Sequence, residues 1–404
     1  VSRWREATLG ETTELLTGFP FRSPNYTDDE DGIALVRGDN VVQGRFRWDD
    51  VKRWRRNDTA ELSDYFLQAG DVILAMDRPW IEAGLKYACV ADEDLPCLLV
   101  QRVTRLRARS GLDQGFLRYL IGSKEFTQHV LGVQTGTAVP HISGPQIKQF
   151  GFRCPPLPEQ RAIASVLGAL DDKIELNRRM NETLEALAQS LFKAWFVDAI
   201  RDGLPKGWRE DSLDKIARFL NGLALQKFPP EGKDALPVIK IAQLRAGNTD
   251  GADRASSRIP PEYVIEDGDV LFSWSGSLEV ELWCGGRGAL NQHLFKVTSQ
   301  QFPKWFYFLW TRHHLPDFQG IAAGKATTMG HIQRRHLTGA EVCVPSAAQL
   351  DKMDTQMSPL IEKLIANNIE SRTLAALRDA LLPKLLSGEL RLPPQMLRQA
   401  GVAA

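Results

Sequence analysis

Leu167, Leu170, Ile174, Asn177, Asn181, Leu184, Ala188, Leu191 and Trp195 step along the chain by three and four residues in turn. That spacing keeps one narrow stripe on one side of an α-helix for about four heptads, the shape of a helix-to-helix seam. Leu360, Leu364, Asn367, Ser371, Leu374, Arg378, Leu381 and Leu385 draw a second stripe of the same kind. Pro158 and Glu159 suit the opening turn of the first helix, Asp202 and Gly203 its end, and Gly388 the end of the second, with Pro383 expected to kink it. About 38 residues at 1.5 Å each make a helix on the order of 55 Å long.

The two stripes belong to a longer repetition. LDDKIELNRRMNETLEALAQSLFKAWF (170–196) and LIEKLIANNIESRTLAALRDALLPKLL (360–386) share eight identities in 27 ungapped positions. Upstream, WREATL (4–9) returns as WREDSL (208–213), AGDVIL (69–74) as DGDVLF (267–272), and the pair His141, Ile142 as His331, Ile332. The chain therefore reads as two similar halves, each a segment of about 150 residues followed by a long helix. Two matching seams in one chain can meet as an antiparallel pair, which would bring Asn177 and Asn367 together near the helix midpoints. A buried Asn at such a position costs stability but can fix register.

Short runs rich in β-branched residues, such as IALV (33–36), DVILA (71–75), VIKI (238–241) and HLFKV (293–297), read as strands. Helical patterns follow at 115–131 and 304–318. The expected fold class is α+β: two mixed α/β domains separated by two long antiparallel coiled-coil helices, related by a pseudo-twofold internal repeat. The expected boundaries are 1–156 for the first domain, 157–201 for the first long helix, 202–346 for the second domain, 347–390 for the second helix and 391–404 for a C-terminal tail.

Composition narrows the chemistry. In 404 residues, 50 Lys and Arg balance 50 Asp and Glu, so overall charge points neither to nucleic acid nor to a membrane surface. The segments are no different, with 20 basic against 21 acidic residues over 1–156 and 17 against 16 over 202–346. Any anionic partner must be met locally. The five cysteines are scattered without a C-x-x-C pair, and read as reduced core residues with no metal site. With neither a charged leader nor an apolar span, the expected location is the cytoplasm.

No catalytic signature is found. The order in IPPEY (259–263) is wrong for the [N/D]-P-P-[Y/F] tetrad of amino-methyltransferases, and GIAAGKAT (320–327) has one residue too few for a phosphate loop, with Ala326 after the Lys. Neither H-E-x-x-H nor G-x-S-x-G occurs. No cofactor is expected.

PPLPEQRAIASVLGALDDKIELNRRMNETLEALAQSLFKAWFVD (155–198), LLPKLLSGEL (381–390) and the alternation of domain and helix resemble the DNA-specificity subunit of type I restriction-modification systems. GDVLFSWSG (268–276) and ALNQHLFKV (289–297) resemble that family's second recognition domain more weakly. The resemblance implies a non-catalytic subunit whose two target-recognition domains each read one half of a split, asymmetric site in double-stranded DNA. It also implies helices that set the spacing and dock two methyltransferase subunits, with motor-nuclease subunits joining the assembly. Two rival classes are a self-sufficient DNA-modifying enzyme with an unrecognised site and a coiled-coil scaffold that never touches DNA.

Candidate contacts follow. RFRWDDVKRWRR (45–56) sets Arg45, Arg47, Lys52, Arg53, Arg55 and Arg56 around two Trp residues, a composition suited to phosphates and guanine edges. Arg78 follows a strand directly. In the second half Trp274, Ser275, Asn291, Gln292 and His293 lie in the family-like stretches, and GKATTMGHIQRR (324–335) offers Lys325, Thr327, Thr328, His331, Arg334 and Arg335. Its counterpart GTAVPHISGPQ (136–146) offers Thr137 and His141. Trp195, Phe196, Leu187 and Phe192 are candidate anchors for a partner subunit, with core packing the alternative reading.

Overall fold

Alternation along the strands decides where the layers lie. In the strand Val72–Ala75, Val72 and Leu74 point into one core and Ile73 and Ala75 into another, all four fully buried. A strand buried on both faces must lie between two layers. The structure, a computed structural model, describes residues 4–136, 138–201, 203–232, 234–324 and 330–397. Contacts divide the chain into two units, one of residues 1–172 with 376–404 and one of residues 173–375.

In the first unit a five-stranded sheet runs in the order Thr13–Thr17, Val103–Ala108, Val72–Ala75, Tyr87–Cys89, Gln43–Gly44. A three-stranded sheet, Cys97–Leu99, Ile33–Val36, Arg53–Trp54, packs toward its Ile73 face through Val36, Leu99 and Val103. The opposite face is covered by helices Gln114–Ile121 and Lys124–Val133. The single helical pattern over 115–131 is in fact two helices; Ser123 splits it, because its hydroxyl accepts from Phe126 N at 3.1 Å and caps a new start. Strand Arg5–Thr8 pairs antiparallel with Gly151–Cys154.

The second unit holds two four-stranded sheets. One runs Arg218–Asn221, Leu294–Thr298, Val270–Ser273, Val280–Leu282, and the other Arg254–Ala255, Leu236–Ile239, Gly288–Leu290, Val264–Ile265. Val270 and Phe272 face helix Lys304–His313, while Leu271 faces the second sheet. The helical pattern over 304–318 is likewise two helices, the second being Leu315–Ala323 with Pro316 in its first turn. Strand Arg209–Ser212 pairs antiparallel with Glu341–Val344.

The long helices are Leu157–Phe192, continued by a π-helical turn Lys193–Asp198, and Ala347–Ser387. The second continues through Pro383 and ends where Gly388 takes φ 75°. Every residue of both seams is buried or half-buried, whereas Leu176, Leu187 and Leu377, outside them, are 53%, 46% and 46% exposed. The helices do not stand apart from the sheets. In the first unit Ile163, Leu167 and Leu385 enter the helix-covered core. There Arg378 pairs with Asp171 at 2.8 Å, and Arg391 lies over the Trp4 ring and pairs with Glu159. In the second unit Ala188, Phe192, Met357, Ile361 and Leu364 enter the aromatic core around Trp305 and Phe306.

Within the second unit the seam is polar. Asn181 Nδ2 donates to Asn368 Oδ1 at 2.7 Å and Leu364 O at 3.4 Å, and Asn367 Nδ2 donates to Asn181 Oδ1 at 2.8 Å. Asn177 Nδ2 reaches Glu370 at 2.9 Å, Ser371 at 3.3 Å and Asn367 O at 3.4 Å. Rising numbers on one helix meet falling numbers on the other, so the helices are antiparallel there. Asn177 and Asn367 do meet, but through a backbone carbonyl; the side-chain pair is Asn181 with Asn367.

Candidate nucleic-acid interface

The loop after Val72–Ala75 carries Asp77 and Arg78, and a second loop carries Arg102. Arg78 has φ 44° and Arg102 φ 67°, two of three non-glycine residues with positive φ among those described. Left-handed backbone costs an L-residue about 1–2 kcal/mol, so it persists only where surrounding bonds impose it. Here they do: Arg78 N donates to Pro140 O at 2.7 Å, and Met76 N to Arg102 O at 2.9 Å. Asp77 binds Arg102 at 2.9 Å and His141 Nδ1 at 2.6 Å, joining three segments.

Asp77, Arg78 and Arg102, together with Arg37, Asp39 and Lys86, line an open cleft of about 430 Å³. Asp77 is engaged as described and Asp39 lies 3.4 Å from Arg37, which leaves Arg78 and Lys86 as cations in excess. Burial pushes the Lys86 ammonium below its ordinary value, Asp39 opposes the shift, and Arg47 and Arg78 add to it. Crowded cations of this kind are relieved by an anion, and a phosphate backbone is one. Lys86, Arg102 and Arg37 carry no mark in the sequence, because they come from three separate segments.

The basic run 45–56 does not form one face. Trp54 is in the core with its indole on Asp58 O at 3.0 Å, and the Trp48 indole binds Asp94 at 2.7 Å. Arg53 donates to Gly32 O at 2.9 Å and Arg56 to Asp31 O at 2.6 Å, on a surface shared with Glu30, Glu93 and Asp94. These two arginines hold a loop. Arg47 turns to Asp39 O at 3.2 Å, at the edge of the cleft, while Arg45, Lys52 and Arg55 are exposed elsewhere on the run. Of the expected residues, the structure brings Arg47, Arg78 and His141 together.

In the second unit Trp274 and Ser275 follow strand Val270–Ser273. Ile332 N donates to Trp274 O at 3.0 Å and Gly276 N to Gly330 O at 2.9 Å, so the strand end is tied to the loop carrying His331. Ser275 Oγ lies 3.0 Å from His293 Nδ1, and Gln292 Nε2 3.3 Å from His293 Nε2. The Trp274 indole donates to Asn221 at 2.8 Å, and its ring lies 5.9 Å from His293 and 6.4 Å from His331. Trp274, His293, Gln292 and His331 thus form one half-exposed cluster. Ser275 and Asn291 are 4% and 6% exposed and lie beneath it; Asn291 Oδ1 accepts from His293 N at 3.2 Å and shapes the turn. Arg334 donates to Phe219 O at 3.3 Å, and Arg335 is exposed. Thr137, Lys325, Thr327 and Thr328 lie outside the described residues.

The proposed partner anchors divide. Phe192 and Phe196 are core residues, Phe196 packing on Trp305, Phe306 and Trp310, so neither is presented to a partner; Trp195 is half-buried against Trp305 and Leu187 is exposed. All five thiols are raised by burial, Cys97 to about 12 and Cys284 to about 11. Among the described residues no group of acidic, His or Cys side chains is arranged to hold a metal ion, and no helix is long and apolar enough to cross a membrane.

Residues 3–186 match the profile of the type I restriction modification DNA specificity domain. The chain is 25% identical over 367 residues to the type I restriction enzyme MjaIX specificity subunit of Methanocaldococcus jannaschii, covering 84% of this chain and 83% of that one. It is 30% identical over 200 residues to the EcoAI specificity subunit of Escherichia coli, covering 49% of this chain and 33% of that one. The solved type I restriction-modification S subunit from M. genitalium superposes with a TM-score of 0.56 at 16% identity, over 95% of this chain and 96% of that one. That likeness extends the agreement to the α+β fold.

Proposed function

We propose that this chain, whose residues 3–186 match the type I restriction modification DNA specificity domain, reads with each of its two units one half of a bipartite, asymmetric site in double-stranded DNA. The chain is the non-catalytic specificity subunit of a methyltransferase and endonuclease complex. The long helices set the number of unread base pairs and dock two methyltransferase subunits, which motor-nuclease subunits join. Arg78, Lys86, Arg102 and Arg47 meet phosphates in the first unit, and Trp274, Gln292, His293 and His331 face the duplex in the second, with Arg334 and Arg335 at its edge.

One observation carries the reading: the strand-end loop and the His-Ile loop are tied by matching backbone bonds in each unit. Ile142 N donates to Met76 O at 2.9 Å, and Ile332 N to Trp274 O at 3.0 Å. Elsewhere Gly18 N donates to Val103 O and Gly222 N to Leu294 O, both at 3.0 Å, and a Cβ on either glycine would meet a carbonyl oxygen at 2.3 or 2.2 Å. Such agreement supports two copies of one recognition domain, over 1–156 and 202–346, each followed by a spacer helix. Arg78 and His141 lie on those tied loops in the first unit, and Trp274 and His331 in the second.

Co-expression with the neighbouring methyltransferase gene, followed by mapping of methylated adenines across a genome, tests the proposal. A split motif with a fixed gap is the expected result. Methylation without sequence preference would refute it.

A further inference from the structure

Directly after Arg78, Trp80 and Ile81 pair antiparallel with Leu85 and Gly84 to form a minimal hairpin. Its base is closed by Lys86 N on Pro79 O at 2.7 Å, and Leu85 anchors it in the helix-covered core. Both apolar residues of its first strand are open to solvent: Trp80 is 40% and Ile81 39% exposed. Val139, 44% exposed, lines the adjoining cleft. Large apolar side chains left in water beside one another mark a contact surface. Arg78 precedes the hairpin and Lys86 follows it, so the surplus cations of the cleft flank its exposed apolar residues.

We propose that the Trp80–Leu85 hairpin is the base-contacting probe of the first unit, entering the major groove of a duplex whose phosphates lie against Arg78 and Lys86. This rests on the DNA-reading function above and adds which segment sets the preference. A two-stranded ribbon fits the major groove, apolar side chains there meet thymine methyl groups, and the exposed carboxylate of Glu82 at the turn can accept from cytosine N4. The flanking cations favour a polyanion as the occupant over an apolar protein surface, which would leave them desolvated and unpaired.

The test uses the complex with its methyltransferase subunits and two duplexes, one carrying the mapped motif and one with the first half-site scrambled. Trp80→Ala with Ile81→Ala is expected to weaken binding of the motif roughly 10- to 100-fold. Affinity for the scrambled duplex, the salt dependence and the melting temperature should stay as in the parent. Trp80→Phe, which keeps the apolar face, should retain most of the preference. An unchanged ratio between the duplexes would overturn the proposal, as would a variant that fails to assemble with the methyltransferase subunits, which would make the hairpin a protein contact. A parent complex that binds both duplexes equally would instead remove the DNA reading itself, and the proposal with it.

Discussion

Asn367 donates its side-chain amide to Asn181 Oδ1 at 2.8 Å, with both residues buried between the long helices of the second unit. Three buried asparagines, Asn177, Asn181 and Asn367, stand in seams whose other positions are mostly apolar. A slip of one heptad would leave these amides against hydrocarbon, so they penalise every register but one. Asn367→Leu alone should destabilise the protein by about 1–3 kcal/mol, because Asn181 Oδ1 is left buried without a donor. Replacing Asn177, Asn181 and Asn367 together with Leu should recover or exceed the parent stability while loosening the register. Denaturation midpoints and hydrogen exchange along both helices check this; a triple variant that is neither more stable nor less ordered would contradict it.

The cleft of the first unit predicts a particular salt response. Arg78→Ala with Lys86→Ala should weaken binding of motif and scrambled duplexes alike. The slope of log affinity against log salt should fall by roughly 2, since each phosphate no longer neutralised lowers it by about 0.9. Replacing Arg53 and Arg56 should leave that slope almost unchanged, since their guanidinium groups are spent on Gly32 O and Asp31 O. Titrations at several salt concentrations separate the two sets.

If the long helices set the gap, removing one heptad from the first together with the facing heptad of the second should change the number of unread base pairs while both half-sites persist. Methylation mapping reads this directly. Altered half-sites with the old gap would assign the spacing to another element.

Asp267 predicts a pH dependence. The Arg372 guanidinium, bonded to both carboxylate oxygens at 2.7 Å, holds Asp267 below its ordinary value of 3.8, with Gly286 N adding to the effect against the cost of burial. A carboxyl whose folded value is depressed contributes stability above its unfolded value and loses it as pH falls through the folded one. Arg372→Met should therefore lower the urea midpoint at about pH 6, and the difference from the parent should narrow as the pH falls below the usual carboxylate range. An equal difference at every pH would mean that the arginine acts through packing alone.

Much of the helical scaffold is legible in the chain. A three-and-four spacing is a local property of an α-helix, so Leu167 through Trp195 and Leu360 through Leu385 name the buried stripe without reference to anything else. The short strands at 33–36 and 72–75 are legible for the same reason, a few β-branched residues between turn formers. The candidate binding surface is much less so. RFRWDDVKRWRR reads as one basic face, yet its tryptophans turn inward and three of its arginines bind carbonyls. Lys86, which lines the cleft, stands alone in the chain, and Arg102 beside it in the cleft is one of four arginines in RVTRLRAR with nothing to set it apart.

Sequence by itself determined the two seams, the repeated motifs, the absence of known catalytic signatures and the family resemblance, because each depends on residue types at fixed separations along the chain. Tertiary structure alone decided that Asn367 pairs with Asn181, that Phe196 belongs to a core, and that Arg78, Lys86 and Arg102 share a cleft. Those relationships join residues far apart in the chain, and which of them meet depends on how loops turn after each strand. Side-chain burial and hydrogen bonding settle that only when the whole unit is folded.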